Sequence, residues 1–89
     1  MYQNDFYVTV KNIEYEEIGD ILDIIPEVHR FCKGVSKAKY REGAARFSVY
    51  TKAELQDLAK DLKNIEIGGK KLKLISADED LETAEYILE

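Results

Sequence analysis

Residues 36–50 read SKAKYREGAARFSVY and predict a β-hairpin around which the other elements are arranged. Two alternating runs flank Glu42 and Gly43, and glycine can take the positive φ that a tight turn needs. Pairing the runs across this turn gives three cross-strand pairs, which are Arg41–Ala44, Lys39–Arg46 and Lys37–Ser48. Because side chains alternate along a strand, the apolar residues share one face of the hairpin and the cations share the other.

Upstream of the hairpin, the sequence predicts a strand followed by a helix. Residues 6–13 alternate apolar and polar side chains, which is typical of a half-buried strand. Residues 14–25 place isoleucine and leucine three and four positions apart, with glutamates in the first turn. Pro26 should end this helix, and residues 26–34 are predicted to form a short second turn with Cys32 on its apolar side.

Downstream of the hairpin, a second helix and a last strand are predicted. Thr51 and Glu54 have the spacing of a capping box in front of a helix over residues 55–62. Two glycines at 68–69 turn the chain into a strand over residues 71–75. The element order is therefore βαββαβ, an α+β arrangement with both helices on one face of a four-stranded antiparallel sheet. The other face of that sheet is left open.

Length and composition indicate a single small domain. The chain has 89 residues, of which 45% are apolar and 35% charged, as in soluble globular domains. We predict one domain over residues 1–77 and an acidic tail over residues 78–89, where apolar side chains at helical spacing predict a short helix.

One cysteine and one histidine exclude a disulfide scaffold and a Cys/His metal cluster, and we expect no cofactor and no metal. The start of the chain is unlike a secretion signal and no apolar run could span a membrane, so a cytoplasmic location is expected.

The net charge of −5 is unevenly distributed. Residues 14–27 and residues 78–89 each hold six acids and no base, so the rest of the chain carries all 13 bases against six acids. Strand alternation places seven of these bases on the open sheet face, together with four side chains that carry hydroxyl groups. This face comprises Lys11, Lys37, Lys39, Arg41, Arg46, Lys71 and Lys73, with Tyr7, Thr9, Ser48 and Tyr50.

Two binding functions follow from this distribution of charge. A basic face with exposed tyrosines suits single-stranded RNA or DNA, or another polyanion, and we expect the acidic tail to fold over this face and mask it. The alternative is a small protein-interaction or inhibitor module of the accessory or phage type, which would use its acidic first helix, its tail or its sheet face. The acids of that helix are Glu14, Glu16, Glu17, Asp20 and Asp23. A third explanation needs no ligand, because an exposed sheet face requires polar side chains and edge lysines discourage aggregation.

Two runs of the sequence are typical of a known family: residues 8–13 read VTVKNI and residues 67–74 read IGGKKLKL. They are similar to the first-strand hexamer and to the fourth strand of the RNA recognition motif, a domain found in many single-strand RNA binders. The resemblance covers residues 6–76 and implies a ferredoxin-like sandwich that binds RNA on its sheet. The three exposed stacking positions of the family are occupied here by Thr9, Ala44 and Arg46. Because stacking contributes about 1–3 kcal/mol per base, binding without these rings would follow an unconventional mode.

No enzymatic activity is expected. The single histidine, His29, is predicted to lie at the surface or at the boundary of the core, and Cys32 is expected to be a core residue. The acids of the first helix lie on a solvated face without the apolar pocket that would raise a carboxyl pKa. The sequence leaves the partner and the oligomeric state open, and a homodimer could form through an exposed edge strand or through the open face.

Overall fold

Strands outnumber helices in the computed structural model, which describes residues 4–89 and shows seven strands and two α-helices among them. The strands are β1 (Asn4–Lys11), β2 (Cys32–Val35), β3 (Lys39–Arg41), β4 (Ala44–Thr51), β5 (Glu66–Ile67), β6 (Lys70–Asp78) and β7 (Thr83–Leu88). The helices are α1 (Ile18–Val28), which follows a 3₁₀ turn at Tyr15–Glu17, and α2 (Leu55–Leu62). Residues 1–3 of the predicted domain lie outside the described residues.

The strands form one mixed, strongly curled sheet in the order β2-β4-β1-β7-β6-β5, and β3 also pairs with β4. Strand β1 is antiparallel to β4 and parallel to β7, and β7 is antiparallel to β6. The prediction of a four-stranded antiparallel ferredoxin-like sandwich is therefore wrong. In a ferredoxin-like sandwich, the last of the four strands would lie beside β1. That predicted last strand lies within β6, but β7 occupies the position beside β1 and separates the two.

Strand β7 consists of residues for which a short helix was predicted, so that prediction is also wrong. Ala84, Tyr86 and Leu88 are at most 2% exposed on the inner face, while the residues between them are partly exposed. The Tyr86 hydroxyl donates a hydrogen bond of 2.8 Å to the Ala59 carbonyl, in the last turn of α2, where helical carbonyls lack helical partners. The acidic segment is thus part of the sheet and does not lie across it.

The core lies between the two helices and the inner face of the sheet. Strand β1 contributes three alternate side chains, α1 contributes two and α2 contributes three, and all eight are at most 5% exposed. These residues are Phe6, Val8, Val10, Ile21, Ile25, Leu55, Leu58 and Leu62. Both helices therefore cover one face, and the opposite face carries no helix. Within residues 4–89, neither helix has the length and apolar character that crossing a membrane would require.

The first helix continues past the proline that was predicted to end it. Pro26 lies in the last turn of α1 and is exposed, where a proline removes only one helical hydrogen bond. The Ile25 carbonyl still accepts the N–H of His29 at 2.9 Å. The prediction of a second helical turn over residues 26–34 is wrong as well, because Cys32–Val35 form β2.

The predicted hairpin turn is confirmed. Glu42 and Gly43 have φ values of 52° and 78°, as a two-residue turn with positive φ at both positions requires. The pairs Arg41–Ala44 and Lys39–Arg46 are confirmed as well. Lys37 does not face Ser48, because the Ser48 N–H donates to Ser36 Oγ at 2.8 Å and the Ser36 N–H donates to the Ser48 carbonyl at 2.9 Å.

Candidate functional site

The outer face of the sheet, which carries no helix, presents a row of side chains across four neighbouring strands. Lys39 on β3 is opposite Arg46 on β4, and Arg46 is opposite Thr9 on β1. Thr9 is in turn opposite Glu85 on β7. The row is basic at its β3 end and acidic at β7, so the outer face is not uniformly positive.

A surface groove of about 360 Å³ occupies the basic end of this row. We call it the basic groove, and its lining residues are Thr9, Lys39, Arg41, Ala44 and Arg46. The two-residue turn fixes Arg41 and Lys39 on the same face as Arg46, and the methyl side chain of Ala44 fills little of the space between them. The groove is therefore bordered by three exposed cations and by no acid.

Among the described residues, no carboxylate pairs with the three cations of the basic groove. Within residues 4–89, none of Lys39, Arg41 and Arg46 forms an ion pair shorter than 4.0 Å. Like charges held this close repel one another, and a bound anion would remove that repulsion. Lys37 is also exposed, in the segment that joins β2 to β3.

Strand β7 separates two of the remaining predicted cations, Lys71 and Lys73, from the basic groove. Glu85 lies 3.1 Å from the Lys11 ammonium, and Glu89 lies 3.3 Å from that of Lys73. Lys71 and Lys73 are on β6, on the far side of β7. The seven predicted cations thus form two groups, one on each side of β7. Glu85 and Glu89 belong to the segment that was expected to fold over the cations, but they pair with Lys11 and Lys73 as neighbours in the sheet.

Two tyrosines of the predicted face lie at different distances from the basic groove. Tyr7 is 52% exposed and is opposite Ser48, so it is a diagonal neighbour of Arg46 across the β1–β4 ladder. Tyr50 is half-buried and is opposite Asp5, further along the sheet. Tyr7 is therefore the ring available to a ligand held in the groove.

A second charged surface lies on α1. Asp20 and Asp23 border a shallow depression of about 300 Å³ together with Ile24, Glu66, Ile67 and Gly68. Glu14 and Glu16 are exposed, while Glu17 accepts the Glu14 N–H at 2.9 Å and lies 3.3 Å from the Lys70 ammonium. The hydrogen bond from Glu14, and then the charge of Lys70, hold the pKa of Glu17 below its ordinary value.

His29 forms a buried network that the sequence analysis missed. Its ring is completely buried, with Nδ1 2.7 Å from Asp61 Oδ2 and Nε2 2.6 Å from Thr51 Oγ1. The Thr51 hydroxyl accepts the Ala53 N–H at 3.1 Å and lies 3.2 Å from the Phe31 carbonyl. Thr51 therefore does not cap α2, whose N-cap residue is Glu54.

This network joins three elements and has little room for a ligand. Both His29 and Thr51 have no exposed surface, so a substrate could not approach the hydroxyl without local opening. The prediction that His29 lies at the surface or core boundary is wrong. A signal was available, because His29 follows the two buried residues Ile21 and Ile25 at steps of four along one helical stripe.

Other sources of functional evidence add little to this geometry. Among residues 4–89, no group of three or more His, Cys, Asp or Glu side chains is placed to hold a metal ion. Comparison of the chain with protein-family models, with curated proteins and with solved structures gives no match.

Proposed function

We propose that the protein binds single-stranded nucleic acid, with backbone phosphates in the basic groove and one base stacked on Tyr7. The observation that carries this proposal is the presence of three exposed cations without acid partners around a groove on the uncovered sheet face. Arginine can hold a phosphate through two parallel hydrogen bonds, and lysine contributes a compact charge. Arg41 and Arg46 supply the first kind of contact, and Lys39 supplies the second.

The position of Tyr7 favours a single strand over a duplex. A base can stack on a tyrosine only when it is not held in a base pair, and each such stack contributes about 1–3 kcal/mol. Tyr7 is half-exposed and lies one diagonal step from Arg46. A strand that places a phosphate at Arg46 could therefore lay a neighbouring base on this ring. With one ring and three cations, we expect weak, strongly salt-dependent binding with little sequence preference.

Fluorescence anisotropy with labelled single-stranded oligonucleotides of RNA and of DNA tests the proposal. The variant K39E/R46E should abolish binding, because it reverses two of the three groove charges. The matched control K52E/K60E makes the same change in net charge at two exposed lysines outside the groove. Equal losses in the two variants would mean that only total charge matters, and this would overturn the assignment of the groove.

A separate variant isolates the stacking contribution. Replacing Tyr7 with alanine should weaken binding by roughly 5- to 150-fold, the loss expected for one stacked base. Tyr7 is on the exposed face, so circular dichroism should show an unchanged fold. Unchanged affinity in Y7A would remove Tyr7 from the site and leave the cations alone in it.

The depression on α1 favours a second candidate function, the binding of a basic protein segment. Its acids surround the two apolar side chains of Ile24 and Ile67, which would suit a peptide that alternates lysine and leucine. Such a peptide should bind the wild type and K39E/R46E equally and should lose binding in D20N/D23N. Peptide binding that persists in D20N/D23N as well as in K39E/R46E would contradict this candidate function.

A further inference from the structure

Strand β6 has an outer edge that its neighbour covers only in part. Strand β5 pairs with the first two residues of β6, and the Ile65 carbonyl accepts the Leu72 N–H at 3.2 Å. Beyond Leu72, the part of the chain that the structure describes provides no strand on this side of β6. Residues 73–78 therefore form a free edge six residues long.

The centre of this free edge is apolar and exposed. Leu74 is 38% exposed, Ile75 is 49% exposed and Ala77 is also exposed. Soluble proteins usually protect such an edge with charges or proline at its centre, because an unpaired strand recruits another strand. A groove of about 460 Å³ lies beside it, lined by Lys63, Lys71, Leu72, Lys73 and Leu74. The edge therefore has both free backbone groups and adjacent space for side chains.

The hydrogen-bond pattern identifies the backbone groups that are free. Lys71 exchanges both of its backbone hydrogen bonds with Glu89, at 3.0 and 3.1 Å. Because an antiparallel ladder alternates, the backbone groups of Lys73 point towards β7 and those of Leu74 point outwards. A register shift between Leu74 and Ser76 interrupts the alternation, after which Ala77 is the next residue with outward backbone groups. Leu74 and Ala77 thus present the unpaired donors and acceptors.

The charges along β6 are complementary to those of the same strand in reverse. Lysines precede the apolar centre and acids follow it. The lysines are Lys70, Lys71 and Lys73, and the acids are Asp78 and, just past the end of β6, Glu79 and Asp80. Within the free edge, a parallel second copy would place lysine beside lysine and acid beside acid, whereas an antiparallel copy places Lys73 near Asp78. The strand is therefore suited to pair with itself about a two-fold axis.

We propose that the protein forms a two-fold symmetric dimer in which the free edges of two β6 strands pair antiparallel. The register sets Leu74 opposite Ala77 of the second copy, so that their outward backbone groups form hydrogen bonds, and it sets Lys73 opposite Asp78. The two-fold axis lies perpendicular to the sheet between Ile75 and Ser76, and each contact occurs twice. This dimer does not depend on nucleic-acid binding, although it would place both basic grooves on the same side of one continuous sheet.

Analytical ultracentrifugation over a range of concentrations tests the dimer. The wild type should shift from the monomer mass of 10.2 kDa towards twice that mass as concentration rises. The variant I75K places two like charges beside the axis and should stay monomeric. The control L81K makes the same change at a residue that is 67% exposed but outside the strand, and it should still dimerise. A wild type that stays monomeric, or an I75K variant that dimerises, would overturn the proposal.

A charge substitution tests the register and does not depend on the folding of I75K. The variant K73E places an acid opposite Asp78 at two symmetric contacts and should raise the dimer dissociation constant by about tenfold. Adding D78N should restore part of the affinity, and asparagine retains the oxygen that accepts the N–H groups of Asp80 and Leu81, at 2.9 and 3.2 Å. The control K52E should leave dimerisation unchanged. Equal dimer dissociation constants for K73E and the wild type would rule out the pairing of Lys73 with Asp78. If β6 bound an added peptide strand while the protein itself stayed monomeric, the dimer proposal would also be ruled out.

Discussion

Replacing Tyr86 with phenylalanine removes one hydroxyl group from the centre of the fold. The ring is completely buried, and its hydroxyl donates to the Ala59 carbonyl at 2.8 Å. The N–H that would normally serve this carbonyl, that of Lys63, bonds instead to the Lys60 carbonyl. Y86F therefore leaves a buried carbonyl without its partner, which costs about 1–3 kcal/mol of unfolding free energy.

The difference in unfolding free energy between the wild type and Y86F should also depend on pH, which provides a second, independent test. Burial, and then the negative charge of Asp61, raise the pKa of Tyr86 above its ordinary value. A raised pKa means that the folded state favours the neutral phenol, so its stabilising contribution is complete below about pH 10 and is lost at higher pH. The advantage of the wild type over Y86F should then shrink by about 1.4 kcal/mol for each pH unit above 10.

Urea unfolding followed by far-ultraviolet circular dichroism measures both effects. The control is Y15F, because Tyr15 is 71% exposed and its ring contacts that of Tyr40 edge-on at the surface. Its unfolding free energy should stay within about 0.5 kcal/mol of the wild type. An unfolding free energy of Y86F equal to that of the wild type at pH 7, or a parallel loss of stability in the two proteins at high pH, would contradict the role of the Tyr86 hydroxyl.

Two further predictions concern the buried histidine network and the start of the first helix. T51V leaves His29 Nε2 and the buried Ala53 N–H without the hydroxyl oxygen, so urea unfolding should show a loss of about 1–3 kcal/mol for each group left unpaired. T51S keeps the hydroxyl, loses only a methyl group worth about 1 kcal/mol, and should be the more stable of the two; the reverse order would contradict the assigned bonds. The lowered pKa of Glu17 means that its carboxylate stabilises the fold fully above its unfolded-state pKa of about 4.3 and less as pH falls through the lower folded value. E17Q cannot titrate, so the stability gap between it and the wild type should narrow in acid, and a constant gap from pH 7 to pH 3 would count against this role.

The fold was only partly predictable, because one segment fits two periodicities. Ala84 and Leu88 are four residues apart, and both a helix and a strand place such residues on one side. The charges around them made an exposed helix the simpler interpretation. The type of residue favoured the strand, since Thr83, Tyr86 and Ile87 are β-branched or aromatic. The long-range pairing of β7 with β1 decides between the two, and no local pattern encodes it.

The parts of the candidate site that depend on local structure could be predicted from the sequence, whereas the parts that depend on strand order could not. The turn at Glu42 and Gly43 fixes Lys39, Arg41 and Arg46 on one face, and alternation alone predicts this. Alternation could not show that Glu85 would enter the same face, because its position depends on the order of the strands. The His29 network was hidden for the same reason, since Thr51 and Asp61 are 22 and 32 residues further along the chain.

If the basic groove holds the phosphates of a single strand, the affinity must depend on salt concentration in a predictable way. For a single strand, the slope of log affinity against log salt is about −0.7 per phosphate neutralised, so three groove cations predict about −2.1. Reversing two of them in K39E/R46E leaves two acids and one base in the groove and should abolish binding, while K52E/K60E should keep the slope of the wild type. No detectable binding by the wild type at low salt, or the same slope in all three proteins, would contradict the account.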